Sequence, residues 1–482
     1  MALPAETKPD EPWAIDQNTH QLPLSLGERR CLLYLEWAFQ EIKAEISPGH
    51  LQAMTQLIVK AMTGPSRYFH NLDHAFDVAQ SGDAIEVLAA LFHDVVYVQI
   101  DDGISVELAE SLAPFIETLR ERLVIRDLEE NLADQSFVLV MTIFDVQLGQ
   151  HLALEQNEFL SALIAAKQLE SILNKTQLAE IIACIEATIP FRPPTIDGLQ
   201  PSENLYRKLS SANDRFQLAW DEIALVRAVQ RAVRVGNRDV ENFADLQAAD
   251  FLSNTWNLLP ESNPCLRAAE DYTIQQYRHV LEKTTSFMYY LNAPLVFRQF
   301  EGEPSVVDYE GLLERTNKNL VVARLYLSIK LLAIAILEAL TYRSHPLLPL
   351  GCLGGVNFSE ISSQVMQRQS VSISDVPYHP RDCIEQEIWT LLQVGRSQES
   401  SFDIKNSPIA AFLLKHLGLD QMVARVDRGK AFFQEKITAE EFLAEFDPGM
   451  IAIFQKMLSQ AVERDQQEML PPFDERNIRI AG

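Results

Sequence analysis

The stretch AIEVLAALFHDVVY (84–97) sets apolar residues at helical spacing and ends its apolar run on a histidine followed at once by an aspartate. A little upstream stands RYFHNLDHAFDVAQ (67–80), where His70 and His74 are spaced i, i+4. On a helix that spacing puts both imidazoles on one face, one turn apart. Adjacent helical residues diverge by about 100°, so His93 and Asp94 can straddle a single ion. The chain has 10 histidines, and three of them crowd between positions 70 and 93. A lone histidine on an apolar face is usually a hydrogen-bonded core residue. An i, i+4 pair with a His-Asp dipeptide close behind points to a metal. Imidazole with carboxylate suits Zn, Mn, Fe or a similar divalent ion, and the mixed donor set does not choose among them.

Helical spacing continues on both sides of this segment. ERRCLLYLEWAFQEI (28–42), SFVLVMTIF (136–144), EFLSALIAAKQLESIL (158–173), LAEIIACIEATI (178–189) and EIALVRAVQRAVRV (222–235) all carry it. Glycine is sparse, 18 in 482 residues, and few runs alternate at period two, so the expected fold is all-α. At this length more than one core is expected. The polar, proline-containing start reads as an extended arm over 1–30. Two lead-in helices follow and stop at Gly64-Pro65. FRPPTIDGLQP (191–201) and LPESNP (259–264) read as loops. A long helix covers about 308–343, 344–380 is loop-like, and helices resume at about 384–396, 406–417 and 439–465. The division expected is the arm, a first domain over 31–300, and a C-terminal helical region of unknown role over 301–482.

Lys and Arg number 41 against 67 Asp and Glu, a formal net charge of −26. Such a surface repels nucleic acid and anionic lipid, so neither is expected as a partner. A phosphate-bearing ligand has to be held by local basic groups or a metal, against the global field. The cysteines at 31, 184, 265, 352 and 383 form no CxxC pair, which argues against a disulfide framework and a zinc knuckle. MALPAETKPDEPW has neither the basic nor the apolar region of a secretory signal. LSIKLLAIAILEAL (327–340) is interrupted by Lys330 and Glu338 and is expected to fall short of the ~20 apolar residues a bilayer needs. The expectation is a soluble, cytoplasmic protein.

RYFHNLDHAFDVAQ followed by AALFHDVVY resembles the HD superfamily of metal-dependent phosphohydrolases. The first segment is similar to the cyclic-nucleotide phosphodiesterase motif. The short spacing to the His-Asp pair and the tyrosine at 97 are more similar to uncharacterised bacterial HD phosphohydrolases. The matching motifs span about 67–110, with weaker matches to about 250. The resemblance implies an HD-domain helical bundle that hydrolyses a phosphoester of a small nucleotide or cyclic nucleotide. It implies one tightly bound divalent ion, Mn, Fe, Zn, Mg or Co not being distinguished. His74, His93 and Asp94 would be metal ligands, with Asp94 also orienting the attacking water. His70 would be the general acid and Asn71 would orient the first turn after it. A last ligand is required on a later helix, and Asp239 and Asp250 compete. LQAADFLSNTW (246–256) is the closer string, but spacing favours VRVGNRDVENF (233–243). The family sets this ligand some fifty residues after an Ala-Thr helix, and Asp239 follows Thr188 by 51 positions, Asp250 by 62. Tyr97 stands where phosphodiesterases carry a second histidine, which implies a one-ion site or a second ion held mostly by water.

Arg67, Arg192 and Arg238 lie beside these segments and are candidates for phosphate contact, against the alternative of local salt bridges. Glu107 and Glu110 are candidate partners of a ligand histidine, or part of an exposed face. Asp73 and Asp77 read as supporting or solvent-facing. The alternative to an enzyme is a non-catalytic HD-fold module that binds a metal and a nucleotide as a signal, with residues 301–482 as output. A di-iron oxygenase wants more histidines than the segment after Asp94 offers.

Overall fold

The computed structural model describes residues 24–342 and 377–468, apart from 102, 121, 154–155 and 268–271, together with 349 and 361. Among the described residues 67% are helical and 3% in strands, as the helical periodicity implies. It divides into two compact units, Met1–Ala244 with Asn292–Thr316, and Asp245–Leu291 with Asn317–Gly482. The expected boundary between 300 and 301 falls inside the second segment of the first unit. The expected arm lies outside the described residues up to 23, and its last part is helical from Leu26, because Ser25 forms a capping box with Glu28. Most of the expected 344–380 loop, with Cys352, also lies outside the described residues. The four described cysteines are free.

The first unit opens with α1 (Leu26–Glu41), α2 (Pro48–Met62), α3 (Leu72–Ala79), α4 (Ala84–Phe92) and α5 (Val106–Leu112). A short antiparallel hairpin follows, β1 (Ile116–Leu119) and β2 (Arg122–Ile125), with Ile116 opposite Ile125. Strands of four residues are too short for a period-two signal, so the sequence does not announce them. Then come α6 (Gln135–Phe144), α7 (Gln156–Leu169), α8 (Lys175–Ala187), α9 (Pro201–Phe216) and α10 (Glu222–Asp239).

Two helices form the middle of this unit. Every residue of α4 is buried, and α8 buries all of Ile181–Ala187. A helix apolar on nearly every side belongs inside a core, and α4, apolar but for Glu86, fits that rule. α8 packs against α4, α6, α7, α9 and α10. The approach of α10 depends on Gly236, since a Cβ there would lie 2.5 Å from the carbonyl oxygen of Ala187. Only glycine lets the two backbones meet so closely. One turn later α10 ends at Asp239. Buried Glu86 on α4 fixes the same helix from the other side, accepting from Arg234 Nε at 2.8 Å and Arg238 Nη2 at 2.8 Å.

In the second unit lie α11 (Ala248–Ser262) and α12 (Ile274–Tyr290). The chain returns to the first unit for α13 (Ala293–Val296) and the start of α14 (Val306–Thr341), whose remainder belongs to the second. There follow α15 (Cys383–Gln393), α16 (Pro408–Leu417), α17 (Leu419–Phe433), α18 (Ala439–Leu443) and α19 (Pro448–Glu468). The expected loop at LPESNP is helical through Ser262, with Pro260 inside α11. The expected helix over 439–465 is two helices, because Asp447 turns the chain and caps α19 by accepting from Gly449 N and Met450 N.

α14 is long and apolar enough to cross a membrane, which corrects the expectation drawn from Lys330 and Glu338, but 83% of its apolar window is buried inside the protein. Both interrupting charges have buried partners. Glu338 accepts from Arg278 Nε at 3.0 Å. Lys330 Nζ donates to Asp403 at 2.9 Å, and its ammonium lies 5.2 Å from the Trp256 ring centre. Trp256 Nε1 and the Tyr277 hydroxyl each donate to the same carboxylate at 2.8 Å. Burial opposes the charge on Asp403, but Lys330 and Arg396 outweigh it and hold the carboxyl below its usual range.

Candidate metal centre

α3 begins where Asn71 stops the turn before it. The Asn71 side chain accepts from Asp73 N at 3.0 Å and His74 N at 3.2 Å, the role expected of it. His70 therefore lies one residue before the cap and not on the helix with His74, as the i, i+4 spacing suggested. Its ring sits edge-on to Tyr97, with centroids 4.6 Å apart, and 5.7 Å from His74. Tyr97 thus packs on His70.

α4 ends at Phe92, and His93 is its C-cap. The Nδ1 of His93 lies 2.7 Å from the Ala90 carbonyl oxygen, to which it can only donate. That leaves Nε2 to face Asp94 Oδ2 at 3.1 Å and Asp239 Oδ1 at 3.2 Å. His74 Nε2 lies 3.0 Å from the same Asp239 oxygen and 3.8 Å from Asp94 Oδ2. Ligand atoms of His74, His93 and Asp239 all fall within 4.8 Å of one another, a spacing that can hold a metal ion. His93 Nε2 and Asp94 Oδ2 are buried without a hydrogen-bond partner. Electron-pair donors that converge and bond to no proton donor are the arrangement a cation completes. Between the two rival aspartates, Asp239 ends α10 inside this cluster, whereas Asp250 belongs to α11 in the other unit.

The electrostatics favour positive charge at this spot. Burial alone would lower the pKa of His93, but Asp94 and Asp239 raise it well above the usual imidazole value. Burial works to raise Asp94, and the His93, His70 and His74 imidazoles overrule it and hold the carboxyl well below its usual range. Asp239 is likewise pushed up by burial, yet the His74 and His93 imidazoles facing it bring it down to about 2. Without a metal, a proton on His93 supplies the charge the carboxylates need. A divalent ion supplies more of it.

The three arginines weighed between phosphate and a local salt bridge are all engaged in salt bridges. Arg67 is buried and forms a fork on Asp101 at 2.9 and 2.6 Å, while its Nη1 donates to the carbonyls of His70 and Asp94 at 3.0 and 2.7 Å. It holds the two backbone segments that carry those residues. Arg238 donates to the Val78 carbonyl on α3 and to Glu86 on α4, both at 2.8 Å. It thereby ties together the three helices that deliver His74, His93 and Asp239. Arg192 closes on Glu186 at 2.7 Å. In each case a buried acceptor needs the guanidinium more than solvent does. Glu107 is exposed and pairs with Lys60, Glu110 is exposed, and Asp73 and Asp77 face solvent.

One carboxylate was missed. Glu158, in the first turn of α7, keeps Oε2 buried and without a hydrogen-bond partner. Burial pushes its carboxyl up to about 8, and the nearby charges of Asp94 and Asp239 add to the shift. Nothing local distinguishes it from the solvated glutamates that favour helix N-termini. No family model, no curated protein and no solved structure matches the chain.

Proposed function

We propose that this protein hydrolyses a phosphoester of a small nucleotide or cyclic nucleotide, as an HD-type metal-dependent phosphohydrolase working in the cytoplasm. The observation that carries the reading is the meeting of His74, His93 and Asp239, with Asp94 against them, from α3, the end of α4 and the end of α10. That is the order of elements the HD resemblance implies. A divalent ion held by these residues would lower the pKa of a bound water toward ~7 and would offset the charge developing on phosphoryl oxygens. Asp94, its backbone carbonyl held by Arg67, turns Oδ2 toward the site and orients the water by accepting from it. His70, in ring contact with His74, is the imidazole beside the centre that gives a proton to the leaving oxygen. The net acidic surface leaves the metal and these few groups to hold the phosphate.

The test is metal content and turnover of a phosphoester panel by the wild type, His70→Ala and Asp94→Ala. Turnover is expected to vanish in both variants, with metal retained in His70→Ala. A wild type that binds a nucleotide tightly and turns over nothing under any divalent ion is a sensor module. A metal-loaded protein that neither binds nor hydrolyses ends both readings.

A further inference from the structure

We infer that Glu158 is a catalytic residue of this centre, the acceptor of the proton lost by the attacking water. The inference rests on the phosphohydrolase reading above. Its ground is position. The residues around Glu158 pin the start of α7 to the chain that leaves Asp94. Asn157 Oδ1 accepts from Val98 N at 3.2 Å, and Ser161 Oγ accepts from Val96 N at 3.1 Å. Glu158 lies between these two anchors, with Oε2 sealed from solvent and bonded to nothing. The carboxylates that act on it are Asp94 and Asp239, and Arg192 only partly offsets them. A carboxylate oxygen placed there calls for a proton donor, and the two backbone donors named beside it, Val98 N and Val96 N, are already taken by Asn157 and Ser161. Among the described residues the ligand atoms that converge within 4.8 Å are those of His74, His93 and Asp239, so Glu158 stands outside the ligand set. A water shared between the ligand set and Glu158 meets both needs.

The step balances without any further reactant. The water O–H bond breaks and its proton passes to Glu158 Oε2, while the water oxygen forms a bond to phosphorus. The bond from phosphorus to the leaving oxygen breaks with its electron pair, and His70 gives that oxygen a proton. Solvent then carries the proton on Glu158 back to His70, so one water has been added across one phosphoester bond.

The experiment uses the full chain, Mn²⁺ as the metal, and the phosphoester the wild type turns over fastest. Glu158→Gln is expected to lower kcat by about 10²–10⁴-fold with KM unchanged, the range for loss of a general acid or base. Its Mn²⁺ dissociation constant, read by titration without substrate, stays within about threefold of wild type, below the 10–100-fold cost of losing a group that supports a ligand. Glu158→Asp recovers part of the lost kcat. An undiminished kcat in Glu158→Gln overturns the inference and leaves the phosphohydrolase reading standing. Loss of Mn²⁺ together with kcat also overturns it, making Glu158 a ligand. A wild type that holds Mn²⁺ and hydrolyses no phosphoester brings down the phosphohydrolase reading and this inference together.

Discussion

Two buried charge clusters in this molecule look alike in composition and differ in balance. Around Asp403 in the second unit, a single carboxylate is met by Trp256, Tyr277 and Lys330, with Arg396 Nη1 3.4 Å away. Around His93 in the first unit, Asp94, Asp239 and Glu158 share one region with two imidazoles, and His93 Nε2, Asp94 Oδ2 and Glu158 Oε2 are buried without hydrogen bonds. The first cluster contains its own counter-ions, and the atom left unmet in it, Arg396 Nε, is a proton donor rather than an electron-pair donor. In the second, a proton on His93 is what balances the carboxylates, and a cation taken up from outside would balance them further. A buried ion network is therefore a sign of function here only where its donors run short.

The strongest way to break this contrast is to remove the oxygen both histidines share. Asp239→Ala is expected to weaken Mn²⁺ binding by more than about 100-fold, beyond the range for groups outside the ligand set, and to abolish turnover. Titration of the metal-free protein checks it. Asp403→Ala is the converse. It leaves Lys330 and Arg396 buried without their carboxylate and is expected to cost about 3–5 kcal/mol, measured by denaturant unfolding, with Mn²⁺ affinity unchanged. A metal-linked effect of Asp403→Ala would erase the distinction between the clusters.

A smaller effect is expected from Gly236→Ala, which drives a methyl group into the Ala187 carbonyl. Strain of this kind costs about 1–3 kcal/mol, and because Asp239 rides on the same helix, Mn²⁺ affinity should fall with stability. Unfolding and metal titration of the same sample separate this from a purely structural loss.

The pH dependence sharpens the comparison. In the metal-free protein His93 has a raised pKa, so its contribution to stability is full below about 6.5, the unfolded value, and fades as pH rises through the higher folded one. Asp239, lowered to about 2, contributes above about 3.9 and loses that contribution as pH falls toward 2. An ion must displace the proton from His93, so Mn²⁺ should raise Tm little at pH 5 and much more at pH 8. A shift in Tm independent of pH would contradict the placing of His93 in the ligand set. Least of all is expected of Glu107→Gln, an exposed partner of Lys60, which should change neither turnover nor metal affinity in the assays above.

The helices were legible because periodicity is a local property, and the centre was legible because three of its residues lie close in sequence. His74, His93 and Asp94 come from segments joined by one turn, so spacing alone could nominate them. The choice of Asp239 over Asp250 was only indicated, since the string around each fits. The placement of His70 off the helix was hidden because Asn71 reads equally as a helix residue or as its cap. Arg67, Arg192 and Arg238 were left open between phosphate and salt bridge for a different reason. An arginine beside a motif can face ligand or core, and while Glu186 is six positions from Arg192, the side chains that claim Arg67 and Arg238 are distant in sequence.

By itself the amino-acid sequence determined that the protein is helical, that it is strongly acidic, and that imidazoles and a carboxylate gather between 70 and 97. Each follows from composition or from residues within a few turns of one another. Only the tertiary structure decided that Asp239 joins them, that the arginines are consumed in holding helices together, that the charges inside α14 are paired, and that Glu158 Oε2 is buried without a hydrogen-bond partner. Those outcomes depend on which distant side chains share a buried volume, where an unmet charge is costly, and no local pattern encodes that.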